Sequence, residues 1–308
     1  MISAEGGGVE AVGGFARCVC SSPDGDFAWS PDGSEIAFAA EHGARANPKR
    51  AGIAFVRPDG TVVTRFDTGA AGNLRWSPDG ARLAWAGDND GHLHVASADG
   101  KGMRTIAADA RFYDMSPSWS PDSRSIAFVR CGQECDSIFG DVYITSLDGS
   151  APVRATRDGR NAEPSFSPDG QRLAFVRAFG RHQDRFRIVV ADIDGKHLHV
   201  VGSGFGQSLS PVWSPRGDTI VYLGDYRDRG VTTGPELREV SPDGADDHPL
   251  ARAFEALRRT GSEVSVSWSP GGDWIAFEHL SNREGDGNGG IYVVRADGSG
   301  LRQLTREP

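Results

Sequence analysis

Residues 76–85 read WSPDGARLAW, and variants of this phrase occur five more times: WSPDGSEIAF from Trp29, WSPDSRSIAF from Trp119, FSPDGQRLAF from Phe166, WSPRGDTIVY from Trp213 and WSPGGDWIAF from Trp268. Successive copies lie 43–55 residues apart. Ser-Pro-Asp-Gly suits a tight turn, because proline presets φ at the second position and glycine tolerates the positive φ that reverses the chain. The triplets that follow, such as Ile36-Ala37-Phe38, are strand-like, and their small central residue fits a place where another sheet packs closely. A second element runs in phase with the first: an alternating apolar stretch ending in Asp-Gly at Gly60, Gly100, Gly149, Gly195, Gly244 and Gly298. It marks a third strand and a hairpin into a fourth.

Repeats of this length with four antiparallel strands predict propeller blades. The expected fold is therefore all-β, a six-bladed β-propeller of four-stranded antiparallel blades. Residues 1–25 form an N-terminal segment, flexible or an edge latch strand, and residues 26–308 form one propeller domain. The six repeat aromatics are expected to pack between blades, and the motifs that lack the turn aspartate, at Arg216 and Gly271, to mark relaxed turns.

Composition narrows the function. A formal net charge of −9 disfavours nucleic acid and anionic membrane surfaces as partners. No window is long and apolar enough for a spanning helix, so membrane insertion is not expected. The chain as given opens without a secretory leader, which predicts a cytoplasmic protein, or a periplasmic or secreted one where a leader has been trimmed. Cys18, Cys20, Cys131 and Cys135 lack zinc-site spacing and are expected to be reduced or incidental thiols.

The motifs from Asp26 to Thr305 resemble the TolB-type propeller repeat, which is also seen in the propellers that cap prolyl-oligopeptidase-like serine peptidases. The resemblance implies a binding module and no particular chemistry. No G-x-S-x-G elbow is present, so serine-peptidase activity is not expected.

Candidate site residues come from the innermost strands. Three residues before each repeat aromatic stand Asp26, Asn73, Ser116, Glu163, Ser210 and Ser265, and two further back stand Asp24, Asp114, Asn161 and Glu263 among others. Apolar residues lie between, and period-two alternation predicts that the polar row faces a central channel. Carboxylate and amide oxygens converging there read first as a water-filled polar tunnel; they also suit a hard cation, Ca²⁺ or Mg²⁺, with Asp26 and Glu163 as the named ligands, or a cationic peptide or amine. His42, Arg181, His182, Arg185 and His279 are candidates at a channel mouth. The pairs His92/His94 and His197/His199 are read as surface residues, and residues 249–259 as a short amphipathic helix.

Two functions follow. The leading one is a non-catalytic module that binds a protein, a peptide or a small molecule at one channel mouth. The alternative is a propeller enzyme, a hydrolase, lactonase or lyase, including a biosynthetic one, that uses a cation or acidic residues in the channel.

Overall fold

The computed structural model describes residues 27–41, 51–57, 62–68, 71–87, 90–132, 139–180, 185–202, 208–228, 231–250, 261–281 and 290–304. The proposed N-terminal segment and residues 251–259 of the expected helix lie outside them, while Pro249, the first residue of that helix, closes a strand instead.

Twenty-four strands form six antiparallel sheets, each ordered as in the chain. Blade one is β1 (Phe27–Trp29), β2 (Ile36–Glu41), β3 (Ala51–Val56) and β4 (Val62–Asp67). Blade two is β5 (Ala71–Trp76), β6 (Arg82–Gly87), β7 (Leu93–Ser97) and β8 (Arg104–Ile106). Blade three is β9 (Phe112–Trp119), β10 (Ser125–Gly132), β11 (Asp141–Ser146) and β12 (Val153–Arg154). Blade four is β13 (Asn161–Phe166), β14 (Arg172–Phe179), β15 (Arg185–Asp192) and β16 (His199–Val200). Blade five is β17 (Ser208–Trp213), β18 (Ile220–Asp228), β19 (Val231–Val240) and β20 (His248–Pro249). Blade six is β21 (Gly261–Trp268), β22 (Trp274–Ser281), β23 (Gly290–Arg295) and β24 (Arg302–Gln303). This is the six-bladed β-propeller fold that the repeat predicts. Two compact units divide the chain between Pro164 and Ser165.

The repeated turn is built by its serine. In blade two the Ser77 hydroxyl donates to Asp79 and accepts from the Arg82 N–H, while the Gly80 N–H closes the turn on the Ser77 carbonyl. Blade three places Ser123 where the others have glycine, at φ +59°. Its buried hydroxyl accepts the Asp79 N–H at 3.1 Å, which offsets a conformation that costs an L-residue about 1 kcal/mol or more. The turns lacking aspartate are not relaxed. At Arg216 the Ser214 hydroxyl donates to Asp218 instead, and at Gly271 Ser269 keeps both its backbone turn bond and its bond from the Trp274 N–H.

These aspartates are held in the ionised form. Asp32 is lowered to about 2 by the Ser34 N–H and the Ser30 and Ser34 hydroxyls. The hydroxyls of Ser77, Ser120 and Ser167 lower Asp79, Asp122 and Asp169 in the same way. A carboxylate depressed below its unfolded value of about 3.9 favours the folded chain above that pH, and the contribution disappears as pH falls through the folded value. Thermal midpoints are therefore expected to drop between about pH 4 and pH 2. A variant carrying Asp79→Asn, Asp122→Asn and Asp169→Asn should lose less over that interval, and an equal loss would contradict the assignment.

The core lies between facing sheets. Ile53 and Phe55 of blade one meet Leu74, Leu83 and Trp85 of blade two, and Leu93 and Ile106 of blade two meet Trp119, Ile126 and Phe128 of blade three. In the second unit Val221, Leu223 and Leu237 pack with Ile275, Phe277 and Val294. Trp29, at 44% exposure, departs from the expected packing, whereas the tryptophans of blades two, three, five and six do more than pack. The indole N–H of Trp76 donates to the Ala28 carbonyl, that of Trp119 to Arg75, that of Trp213 to Ser165 and that of Trp268 to Val212, at 2.9–3.3 Å. Each acceptor directly precedes the repeat aromatic of the preceding blade, so one indole both fills the interface and fixes its register.

Candidate functional site

The innermost strands share an irregularity that positions the predicted polar row. In blade two Gly72 pairs with Ala86 and Arg75 with Ala84, leaving Asn73 and Leu74 opposite the single residue Trp85. Ser116 and Pro117 oppose Phe128 in the same way, and Ser210 and Pro211 oppose Tyr222. Such bulges carry one residue in an unusual conformation. Here Asn73, Ser116, Glu163 and Ser210 all adopt φ between +51° and +54°. Asparagine tolerates this region well, and a polar side chain can hydrogen-bond locally there. The shared polarity therefore has a backbone cause. Strict alternation stops at the bulge, and Ala71, Gly72, Asn73 and Leu74 are buried in succession.

The row is tied laterally as well. The Asn73 side-chain oxygen accepts the Ser116 N–H at 3.2 Å, joining the bulges of blades two and three. Asp114 is 2% exposed and sits directly across from Arg130, whose Nε and Nη2 donate to its two oxygens at 2.6 and 2.8 Å. Burial pushes this carboxyl up, and the guanidinium pulls it back. Arg130 is itself bracketed by the rings of Phe112, Phe128 and Tyr143, each 5.2–5.4 Å from its guanidinium carbon. Asn161 is fully buried and uses its amide N–H groups on the Gly140 carbonyl, Thr156 and Asp158. Beside it Asp141 accepts from Thr156, Arg154 and the Gly159 N–H.

Glu163 and Ser210 are half-buried, Ser210 on its bulge. Glu263 lies across from His279, and Ser265 across from Glu278 in β21 and β22, whose side chains there are not described. Arg185 opens β15 and is exposed. Asp24, Asp26, His42, Arg181 and His182 lie outside the described residues. Of the paired histidines, His94 bonds Asp90 and stacks on Trp85, and His197 bonds Asp192.

Arg130 is the principal residue that the candidate set lacks. A signal existed: Arg130 stands two residues beyond the Ile-Ala-Phe triplet and Asp114 five before the repeat tryptophan, positions that a two-strand hairpin brings into register. A similar buried network in blade five joins Tyr222, Arg238 and Asp247, whose carboxylate takes the Tyr222 hydroxyl at 2.7 Å and the Arg238 Nε at 3.0 Å. Cys131 is disulfide-bonded, which corrects the expectation of free thiols at that position. No group of three or more His, Cys, Asp or Glu suited to a metal occurs among the described residues, and no described helix is long and apolar enough to cross a membrane.

Fold and repeat together define a β-propeller of the Trp-Ser-Pro-Asp-Gly class. The TolB β-propeller domain family matches residues 22–259, and the chain belongs to that family. The Tol-Pal system protein TolB of Anaeromyxobacter dehalogenans strain 2CP-C is 33% identical over 131 residues, 42% of this chain and 26% of that protein. The chain thus matches about a quarter of the length of that curated relative. Among solved structures, an oligogalacturonate lyase in complex with manganese is similar with a TM-score of 0.69 at 15% identity, over 90% of this chain and 75% of that one. A putative TolB from Agrobacterium tumefaciens has a TM-score of 0.51 at 21% identity, over 91% and 79%. At these identities the two structures share the fold with this chain.

Proposed function

We propose that residues 26–308 act as one non-catalytic binding propeller, in an oxidising compartment outside the cytoplasm, that receives a protein, a peptide or a small molecule at one channel mouth. Membership of the TolB propeller family supports the class. The observation that carries the non-catalytic reading is the Asp114–Arg130 pair: the buried carboxylate available in the described inner strands is already neutralised by a bidentate guanidinium, which leaves it unsuited to hold a hard cation. The amide N–H groups of Asn161 are engaged by Gly140, Thr156 and Asp158, while its buried Oδ1 has no hydrogen-bond partner among the described residues. Fold likeness to a manganese-bound lyase does not transfer its chemistry.

The cation-dependent alternative makes a different prediction. A ligand that binds only the folded state raises stability by RT ln(1 + [L]/Kd). After EDTA treatment, Ca²⁺, Mg²⁺ and Zn²⁺ are expected to leave the thermal midpoint unchanged. A rise of several degrees with one cation, abolished by Glu163→Gln, would favour the enzyme reading.

The compartment rests on Cys131, because disulfides persist outside the reducing cytosol. Dithiothreitol is expected to lower the thermal midpoint of the purified chain. A midpoint that does not move, together with four free thiols in the denatured protein before reduction, would contradict it.

A further inference from the structure

A cleft of about 350 Å³ opens between the outer strand of blade two and the β11–β12 turn of blade three. Arg104, Thr105 and Ala107 line one side, Thr145 and Ser150 the other, and Arg130 contributes from the buried interior. A liquid water occupies about 30 Å³, so the space accommodates a solute the size of an amino acid.

The electrostatics of this cleft are unequal. Arg130 is 9% exposed, and its Nε and Nη2 are spent on Asp114 and on the Ala107 carbonyl. Its Nη1 has no hydrogen-bond partner among the described residues, yet it is not sealed from solvent. The aromatic bracket and the Asp114 fork fix this guanidinium, so little rotamer entropy remains to be lost on binding. The acid in the lining, Asp109, is occupied by Arg111, which donates to both of its oxygens. Asp114 balances Arg130 and Arg111 balances Asp109. Arg104 remains with no carboxylate partner among the described residues, and it gives only one N–H bond, at 2.7 Å, to the Leu147 carbonyl. Arg104 with its uncompensated charge, the preorganised Arg130, Thr145 and Ser150 thus line one small polar cleft.

We propose that this cleft binds a carboxylate, as carried by a small organic acid or an acidic side chain, with Arg104 supplying the charge and Arg130 Nη1 the fixed donor. The site is independent of the channel-mouth reading. It is tested by isothermal titration of the whole chain at low salt with N-acetylglutamate α-amide, whose one carboxylate is on the side chain, its neutral isostere N-acetylglutamine α-amide, and inorganic phosphate. N-acetylglutamate α-amide is expected to bind saturably, at least tenfold more tightly than the other two. Arg104→Gln should weaken it about tenfold, as loss of one charge-assisted bond implies. Arg104 is exposed, so an unchanged thermal midpoint should show that the variant folds. Ser150→Asp, which sets a like charge in the lining from an exposed turn, provides a second variant and should also weaken binding. Absence of saturable binding, equal binding of N-acetylglutamine α-amide, tighter binding of phosphate, or affinity that both variants leave intact would each overturn the proposal.

Discussion

Replacing Asp114 by alanine is expected to destabilise the chain by about 3–5 kcal/mol, the usual cost of breaking a buried ion pair from one side. The loss is large because of what remains. Arg130 would stay among Phe112, Phe128 and Tyr143 with a charge that the low-dielectric interior cannot solvate, and its Nε would have no acceptor. Asp114→Asn should cost less, because one amide oxygen can still accept. Urea denaturation measures both, and high salt should leave the difference nearly intact, since a pair this buried is screened little. A loss below about 1 kcal/mol for Asp114→Ala would mean that the carboxylate is not the partner Arg130 requires.

Trp119→Ala is expected to cost about 3–5 kcal/mol, as truncations of large buried aromatics do. Trp119 is 7% exposed and fills the space between Ala84, Leu93 and Ile106 of blade two and its own sheet. Trp119→Phe separates the two contributions of the indole. It keeps most of the buried ring and removes the bond to the Arg75 carbonyl, so a loss of about 0.5–1.5 kcal/mol is expected, together with some cavity cost. If phenylalanine is as damaging as alanine, the hydrogen bond outweighs packing. If it is neutral, the indole N–H does not set register.

The fold was legible because its information is repeated. A Ser-Pro-Asp-Gly turn read once is weak, but six copies in phase with six Asp-Gly hairpins leave one architecture. The site was only partly legible, for a physical reason. Polar residues at Asn73, Ser116, Glu163 and Ser210 read as a row facing one way, yet all four are left-handed, and Asn73, Ser116 and Ser210 sit on a bulge. A bulge adds one residue and shifts every face beyond it, and periodicity counted along one strand has no means of seeing the partner strand. Asp114 illustrates the same limit. Its acidity was read as ligand capacity, whereas the residue that neutralises it lies 16 positions away on the next strand. The Ser-Pro-Asp-Gly phrases are legible as turns, but the part played by their serines, and Asp218 standing in for the missing turn aspartate, emerge only in the folded chain. The disulfide at Cys131 carried no spacing signal at all.

The account centres on a propeller whose inner-strand carboxylate serves the structure. A double-mutant cycle on Asp114→Ala and Arg130→Met, read by urea unfolding with and without Ca²⁺, tests it most directly. The account predicts a coupling of about 2 kcal/mol or more between the two positions, with the double variant more stable than additivity allows and no response to Ca²⁺. Additive losses, with Ca²⁺ stabilising the wild type and failing to stabilise Asp114→Ala, would show that the carboxylate is a cation ligand and would contradict the central claim.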